Sequence, residues 1–203
     1  MCIPQRFAHP DPPIFRIILY WTTPLRLPPQ SCRILREVVR LLAIFGPVIA
    51  AAILANARLP LAGTLIGYAV GLFLWTLLEY GIHRYAFHGF LPHYQHHDEP
   101  KDPKYIVSPL WLSCGTSALL WPLLRIPAGS WSRSGIVLAG IISGYLFYEA
   151  LHLRIHANEA GGPRLRELRK RHYFHHFADD HFHYGVTTSI WDRVFGTLAS
   201  PPR

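Results

Sequence analysis

Four apolar runs set the limits on what this chain can fold into. Residues 41–57, 61–78, 105–124 and 134–148 contain no Asp, Glu, Lys or Arg. Each is long enough, or nearly so, to cross a bilayer as a helix, which takes about 20 residues. The fourth is short for a span unless helix continues through Glu149 to Ile155. Hydrocarbon offers no partner for a backbone N–H or C=O, so continuous apolar runs of this length dictate helices. Charged residues make up only 16% of the chain, well below the roughly 25% of soluble proteins. The expected fold is an all-α membrane protein with about four transmembrane helices and a cytosolic, histidine-rich helical cap.

The remaining sequence frames these runs. Residues 1–33 are Pro-rich with a short apolar patch, expected to be irregular or interfacial and without a cleavable signal pattern. Residues 34–203 are expected to form one membrane domain, without room in the 203 residues for a separate cofactor or partner module. The formal charge of +8 sits beside the apolar runs, which points to an anionic lipid surface rather than to nucleic acid. Cys2, Cys32 and Cys114 are scattered, with no pairing that suggests a disulfide framework or a zinc motif. Arg33, Arg36 and Arg40 precede the first run, and Arg164, Arg166, Arg169, Lys170 and Arg171 follow the fourth. The opposite turns carry only Arg58, and Arg125 with Arg133. The positive-inside rule then places both termini and the 79–104 loop in the cytoplasm.

On that one face lie ten of the thirteen histidines. They are His83 and His88; His93, His96 and His97; His152 and His156; and His172, His175 and His176. Residues at i, i+3 and i+4 share a helix face, so each HxxHH group can bring three imidazoles to one region. His152 and His156 form a two-toothed clamp, while His83 and His88, five apart, are expected to span a helix end or to reach the centre from slightly different angles. Ten imidazoles exceed what one ion can use, so the pattern predicts a centre of two ions. Imidazole without cysteine suits iron or zinc, and two adjacent ions with open positions suit oxygen activation or hydrolysis. Glu79 and Glu149 are placed to accept the remaining ring N–H of a histidine and fix its orientation, the alternative being an ion pair with Arg84 or Arg154. Asp180, His181 and His183 stay outside the ligand set, open between outer ligands, supports for the ligands and a lid.

At these residues the chain resembles the membrane fatty acid hydroxylase superfamily, which includes sterol desaturases and fatty acid 2-hydroxylases. The resemblance covers residues 79–197, with a variable stretch through the middle helices. It rests on Glu79-Tyr-Gly-Ile-His-Arg-Tyr-Ala-Phe-His88, His93-Tyr-Gln-His-His97, His152-Leu-Arg-Ile-His156, His172-Tyr-Phe-His-His176 and the ending Tyr184-Gly-Val-Thr-Thr-Ser-Ile-Trp-Asp-Arg-Val-Phe-Gly-Thr197. The resemblance implies two iron ions held by the ten histidines, with zinc as an alternative occupant after purification. It implies oxidation of a lipid C–H bond by dioxygen and two external electrons, and is nearest to the fatty acid or sphingolipid 2-hydroxylase branch. An external donor, cytochrome b5-like or ferredoxin-like, is then required. Sterol desaturation and carotenoid hydroxylation are the competing oxidations. A membrane metal transporter is the competing non-enzyme, disfavoured because the histidines lie at helix ends rather than at mid-span.

Overall fold

The computed structural model describes residues 30–57, 60–88, 94–157 and 161–199; the leader through residue 29, His93 and the last four residues lie outside them. The described residues form helices and no strands. In chain order these are α1 (Gln30–Ala55), α2 (Leu61–Gly81) continued by a π-helical segment (Ile82–Phe87), and the short α3 (Tyr94–Asp98) and α4 (Pro103–Ile106). The long α5 (Leu110–Ala128) and α6 (Trp131–His156) follow, then α7 (Pro163–Phe177) and the short α8 (Ile190–Val194).

Three helical stretches, Leu35–Ala55, Leu61–Phe87 and Trp131–His156, are long and apolar enough to cross a membrane. Their large outward side chains confirm the pattern: Leu42, Leu54, Leu65, Ile66, Phe73 and Phe147 are all exposed. The expected third span at 105–124 is displaced. Pro109 stands at the N-cap of α5, so helix begins at Leu110, and Tyr105 belongs to α4 instead. α5 also contains Pro122, Arg125 and Pro127, and it is not among the three stretches long and apolar enough to cross a membrane. The fourth run does continue as helix, through Glu149 to His156.

Alternating direction places the N-terminal ends of α1 and α5 and the C-terminal ends of α2 and α6 on one side. All the described ligand candidates follow from that, because each lies at or beyond one of these ends. On the far side, Gly129 closes α5 in the left-handed conformation (φ 72°), where a residue without Cβ carries no steric penalty. The Ser130 hydroxyl then caps α6 by accepting the Arg133 N–H at 3.1 Å. The buried Asn56 amide donates to the carbonyls of Ala52 and Ser132, both at 2.8 Å, tying α1 to that turn.

α6 is the central helix, packed against α1, α2 and α5. Its contact with α2 is made backbone to backbone. A Cβ on Gly71 would stand 2.1 Å from the Val137 carbonyl oxygen, and one on Gly140 would stand 2.2 Å from that of Tyr68. Such approach is the usual means by which membrane helices associate, since lipid supplies no hydrophobic drive between them. Gly71→Ala and Gly140→Ala should therefore each lower the thermal midpoint of the detergent-solubilised protein, by an overpacking cost of about 1–3 kcal/mol. Gly46→Ala is the control: nothing lies within 4 Å of its added Cβ, and its midpoint should not fall.

Candidate metal centre

The helix ends bring nine of the ten sequence-identified histidines into two groups, with His93 outside the described residues. One holds His96, His152, His156, His172 and His176; the other holds His83, His88, His97 and His175. Within each group the nearest ring nitrogens lie within 4.8 Å of one another. His83, His96, His152, His156, His172 and His175 are buried, and His88, His97 and His176 are half-buried.

The triads divide between the groups. On α7, His172 and His176 are one turn apart and face the five-histidine group, while His175 turns to the other. On α3, His96 and His97 part in the same way. His83 lies inside the π-helical segment and His88 caps its end, so the pair spans a helix end. The helix also widens there, with the His88 N–H donating to the His83 carbonyl at 3.3 Å, an i to i+5 bond. That wider turn returns residues five apart to one side, and such π-helical turns recur at functional sites.

Ring-to-ring distances show what the first group can do. The Nε2 atoms of His152, His156 and His172 form a triangle with edges of 3.0, 3.1 and 2.8 Å. Hydrogen bonds prefer donor angles above about 150°, which a closed triangle of ring nitrogens cannot provide on all three edges. A shared cation can satisfy all three lone pairs, because ligands about 2.0–2.1 Å from an ion at right angles stand about 3 Å apart. In the second group the Nε2 atoms of His88 and His175 stand 3.1 Å apart. Both ring nitrogens of His176 are buried without a hydrogen-bond partner among the described residues. Burial, reinforced by the neighbouring imidazoles, holds His172, His175 and His176 well below the usual histidine range. Burial likewise pushes His97 down to about 4. These rings are therefore neutral near pH 7, with the lone pair a metal requires. The residues present fit metal ions.

The two acids have other partners than those expected. Glu79 accepts the backbone N–H groups of Val186 and Thr187 at 2.7 and 2.8 Å, and the Thr187 hydroxyl. Glu149 accepts the Ser108 N–H at 3.0 Å. Among the described residues, the hydrogen bonds given to both acids come from loop backbone N–H groups and a hydroxyl rather than from a histidine ring or an arginine. Instead each pins a loop over the helix ends. Backbone carbonyls do the orienting: Tyr184 O accepts from His83 Nδ1 and Phe182 O from His175 Nδ1, both at 2.7 Å. A ring whose Nδ1–H is held in this way presents Nε2 as its free lone pair.

Asp180 approaches His88 Nδ1 at 3.7 Å, an ion-pair distance rather than a hydrogen bond. His181 is exposed and engaged with Asp179 and Asp180 at 3.1 and 3.0 Å, outside both histidine groups. His183 is buried against Phe174, and its ring joins neither group.

Two residues without an assigned role in the sequence prove central to the loop. Asp192, fully buried at the start of α8, accepts the N–H groups of Tyr184 and Gly185 at 2.9 and 3.0 Å and the Thr197 hydroxyl at 2.9 Å. Gly185 must lack a side chain, since a Cβ there would lie 2.0 Å from the Thr188 carbonyl oxygen. Both fall inside the Tyr-Gly…Trp-Asp ending, the only sequence signal that marked them.

A cleft opens beside His83 between α2 and α5, floored by α6. Phe87, Leu112, Thr116, Leu120 and Ile142 line it, with Glu79 and His83 at the histidine end.

With this geometry in view, comparison with known proteins is decisive. The family model described as fatty acid hydroxylase matches residues 68–197. The chain belongs to the fatty acid hydroxylase family. It is 34% identical over 168 residues to the dihydroceramide fatty acyl 2-hydroxylase FAH2 of Arabidopsis thaliana, covering 76% of this chain and 70% of that one. It is 35% identical over 150 residues to the ceramide very long chain fatty acid hydroxylase SCS7 of Saccharomyces cerevisiae, covering 66% and 38% respectively. Human fatty acid 2-hydroxylase is 34% identical over 148 residues, covering 64% and 39%. The chain thus spans well under half of the yeast and human relatives. A solved structure of full-length scs7p, in which only the hydroxylase domain is visible, aligns with a TM-score of 0.73 at 29% identity, over 80% of this chain and 67% of that one.

For this family member, Asp192→Ala should strand three buried donors at a cost of roughly 3 kcal/mol or more, read as a lowered thermal midpoint. Metal affinity should fall more in the four-histidine group, whose rings the loop holds, than in the five-histidine group.

Proposed function

We propose that this chain is an integral-membrane lipid hydroxylase with a dimetal centre, natively two iron ions, that inserts oxygen into an acyl chain at the 2-position. The single observation that carries the reading is the pair of convergent histidine groups, one of which reaches an apolar cleft through His83. An all-imidazole ligand set accommodates iron as well as zinc, insertion of oxygen favours the redox-active metal, and the activities named for the relatives support an acyl substrate, ceramide-linked or free. His96, His152, His156, His172 and His176 would hold one ion; His83, His88, His97 and His175 would hold the other, with His93 a further candidate. When bound, the iron pair supplies dioxygen chemistry that places one oxygen atom in a C–H bond and releases the other as water, consuming two electrons and two protons.

The chain's own residues do the rest. The acyl chain slides in sideways from the bilayer through the gap between α2 and α5, and Leu112, Leu120, Ile141 and Ile142 take its methylenes. The ring of Trp75 and the phenols of Tyr145 and Tyr148 wall the inner side. That packing holds a carbon near the acyl carbonyl beside His83 and excludes water from the reacting bond. Positioning of this kind replaces a chance encounter with a fixed approach, a large share of any enzyme's barrier reduction. The electrons come from an external one-electron donor, and the histidine face and both termini lie in the cytoplasm, in keeping with the basic residues beside it. Metal transport is disfavoured by the position of both groups at helix ends.

Lipid analysis of cells expressing the chain tests the proposal. Intact protein should yield 2-hydroxylated acyl chains, and His175→Ala should abolish them. Altered sterols or carotenoids with unchanged acyl chains would refute the acyl assignment. Thr116→Trp, which fills the cleft without touching a histidine, should cut hydroxylation about tenfold or more while metal content stays unchanged, a loss of transition-state positioning.

A further inference from the structure

The C-terminal loop carries one unusual backbone feature, and it lies between the two carbonyls that orient ligands. His183 is the only described non-glycine residue with a positive φ, 60°. Its neighbours on either side, Phe182 and Tyr184, hold His175 and His83 through their carbonyls, both at 2.7 Å. Those two rings belong to the same group, with centroids 4.6 Å apart. Two carbonyls from a single tripeptide therefore close on two ligands of one ion.

We infer that His183 is a positioning residue whose left-handed backbone, rather than its imidazole, aims both carbonyls at the four-histidine group. Three observations converge on this. The ring joins neither histidine group, and its Nδ1 is buried with no hydrogen-bond partner among the described residues. The backbone, by contrast, is fastened on every side. The His183 N–H donates to the Thr197 carbonyl at 2.9 Å, and the next two N–H groups go to Asp192. Finally, a left-handed conformation is costly for most residues but is tolerated several-fold more often by Asn, Asp and His. Strain held by surrounding bonds at a site edge is the pattern expected of a residue whose φ matters to function.

The inference rests on the two-ion reading, and a matched pair of variants tests it. His183→Gly and His183→Ala both delete the ring and differ by one methyl, but only glycine adopts positive φ without cost. Full-length protein loaded with zinc would be challenged with graded chelator, and retained metal counted per chain. Wild type should release zinc in two steps. His183→Gly should keep both steps near their wild-type positions, and His183→Ala should weaken one step about tenfold while leaving the other in place. Thermal unfolding of each zinc-free variant reports separately on fold stability. Equal weakening in both variants would show that the ring matters and overturn the inference. Equal weakening of both steps in His183→Ala would mark a general loss of fold and also overturn it. A wild type that retains one zinc ion or none would instead refute the two-ion reading.

Discussion

Three ring nitrogens at the corners of a 3 Å triangle, from His152, His156 and His172, cannot satisfy one another by hydrogen bonds. Their rings are buried, so water cannot screen the opposed lone pairs. The arrangement persists only because packing elsewhere enforces it and a cation can complete it. Much of the remaining structure serves that enforcement. α6 delivers His152 and His156 on successive turns at its final residues, and α7 returns across it with His172 and His176. The close α2–α6 contact through Gly71 and Gly140 then sets where the second group starts, at His83.

The rigidity of that second group comes from a loop rather than a helix. Residues 182–187 meet His175, His83 and Glu79 through main-chain atoms, and Asp192 and Thr197 brace the loop from behind. Main-chain clamps have a physical advantage here. They carry no net charge, so they orient neutral imidazoles without adding a carboxylate to a site already crowded with rings. Glu79 and Glu149 still contribute, but one step removed, by holding the backbone that holds the rings or covers them.

Much of this was legible in the sequence. Uncharged runs reveal the long helices because lipid permits little else, and i, i+3, i+4 spacing reveals ligand faces because helical geometry is periodic. The one-sided gathering of histidines followed from the Arg distribution. Other features leave no periodic trace. The π-helical turn that aligns His83 with His88 is a local departure from regular helix, and nothing in Ile82 to Phe87 announces it. Glu79 meets Val186 and Thr187 across more than a hundred residues of chain, so its nearest histidine in sequence was the misleading guide. Asp192, Gly185 and the φ of His183 depend on loop closure that only the fold reveals.

The central claim is that these histidines form two separate coordination shells. Anomalous-difference maps from crystals of the metal-loaded protein, collected at the absorption edge of the bound metal, test it most directly. The expected result is two peaks in each chain, one enclosed by His96, His152, His156, His172 and His176, the other by His83, His88, His97 and His175. A single peak, or density only at the exposed Asp179, Asp180 and His181, would contradict it.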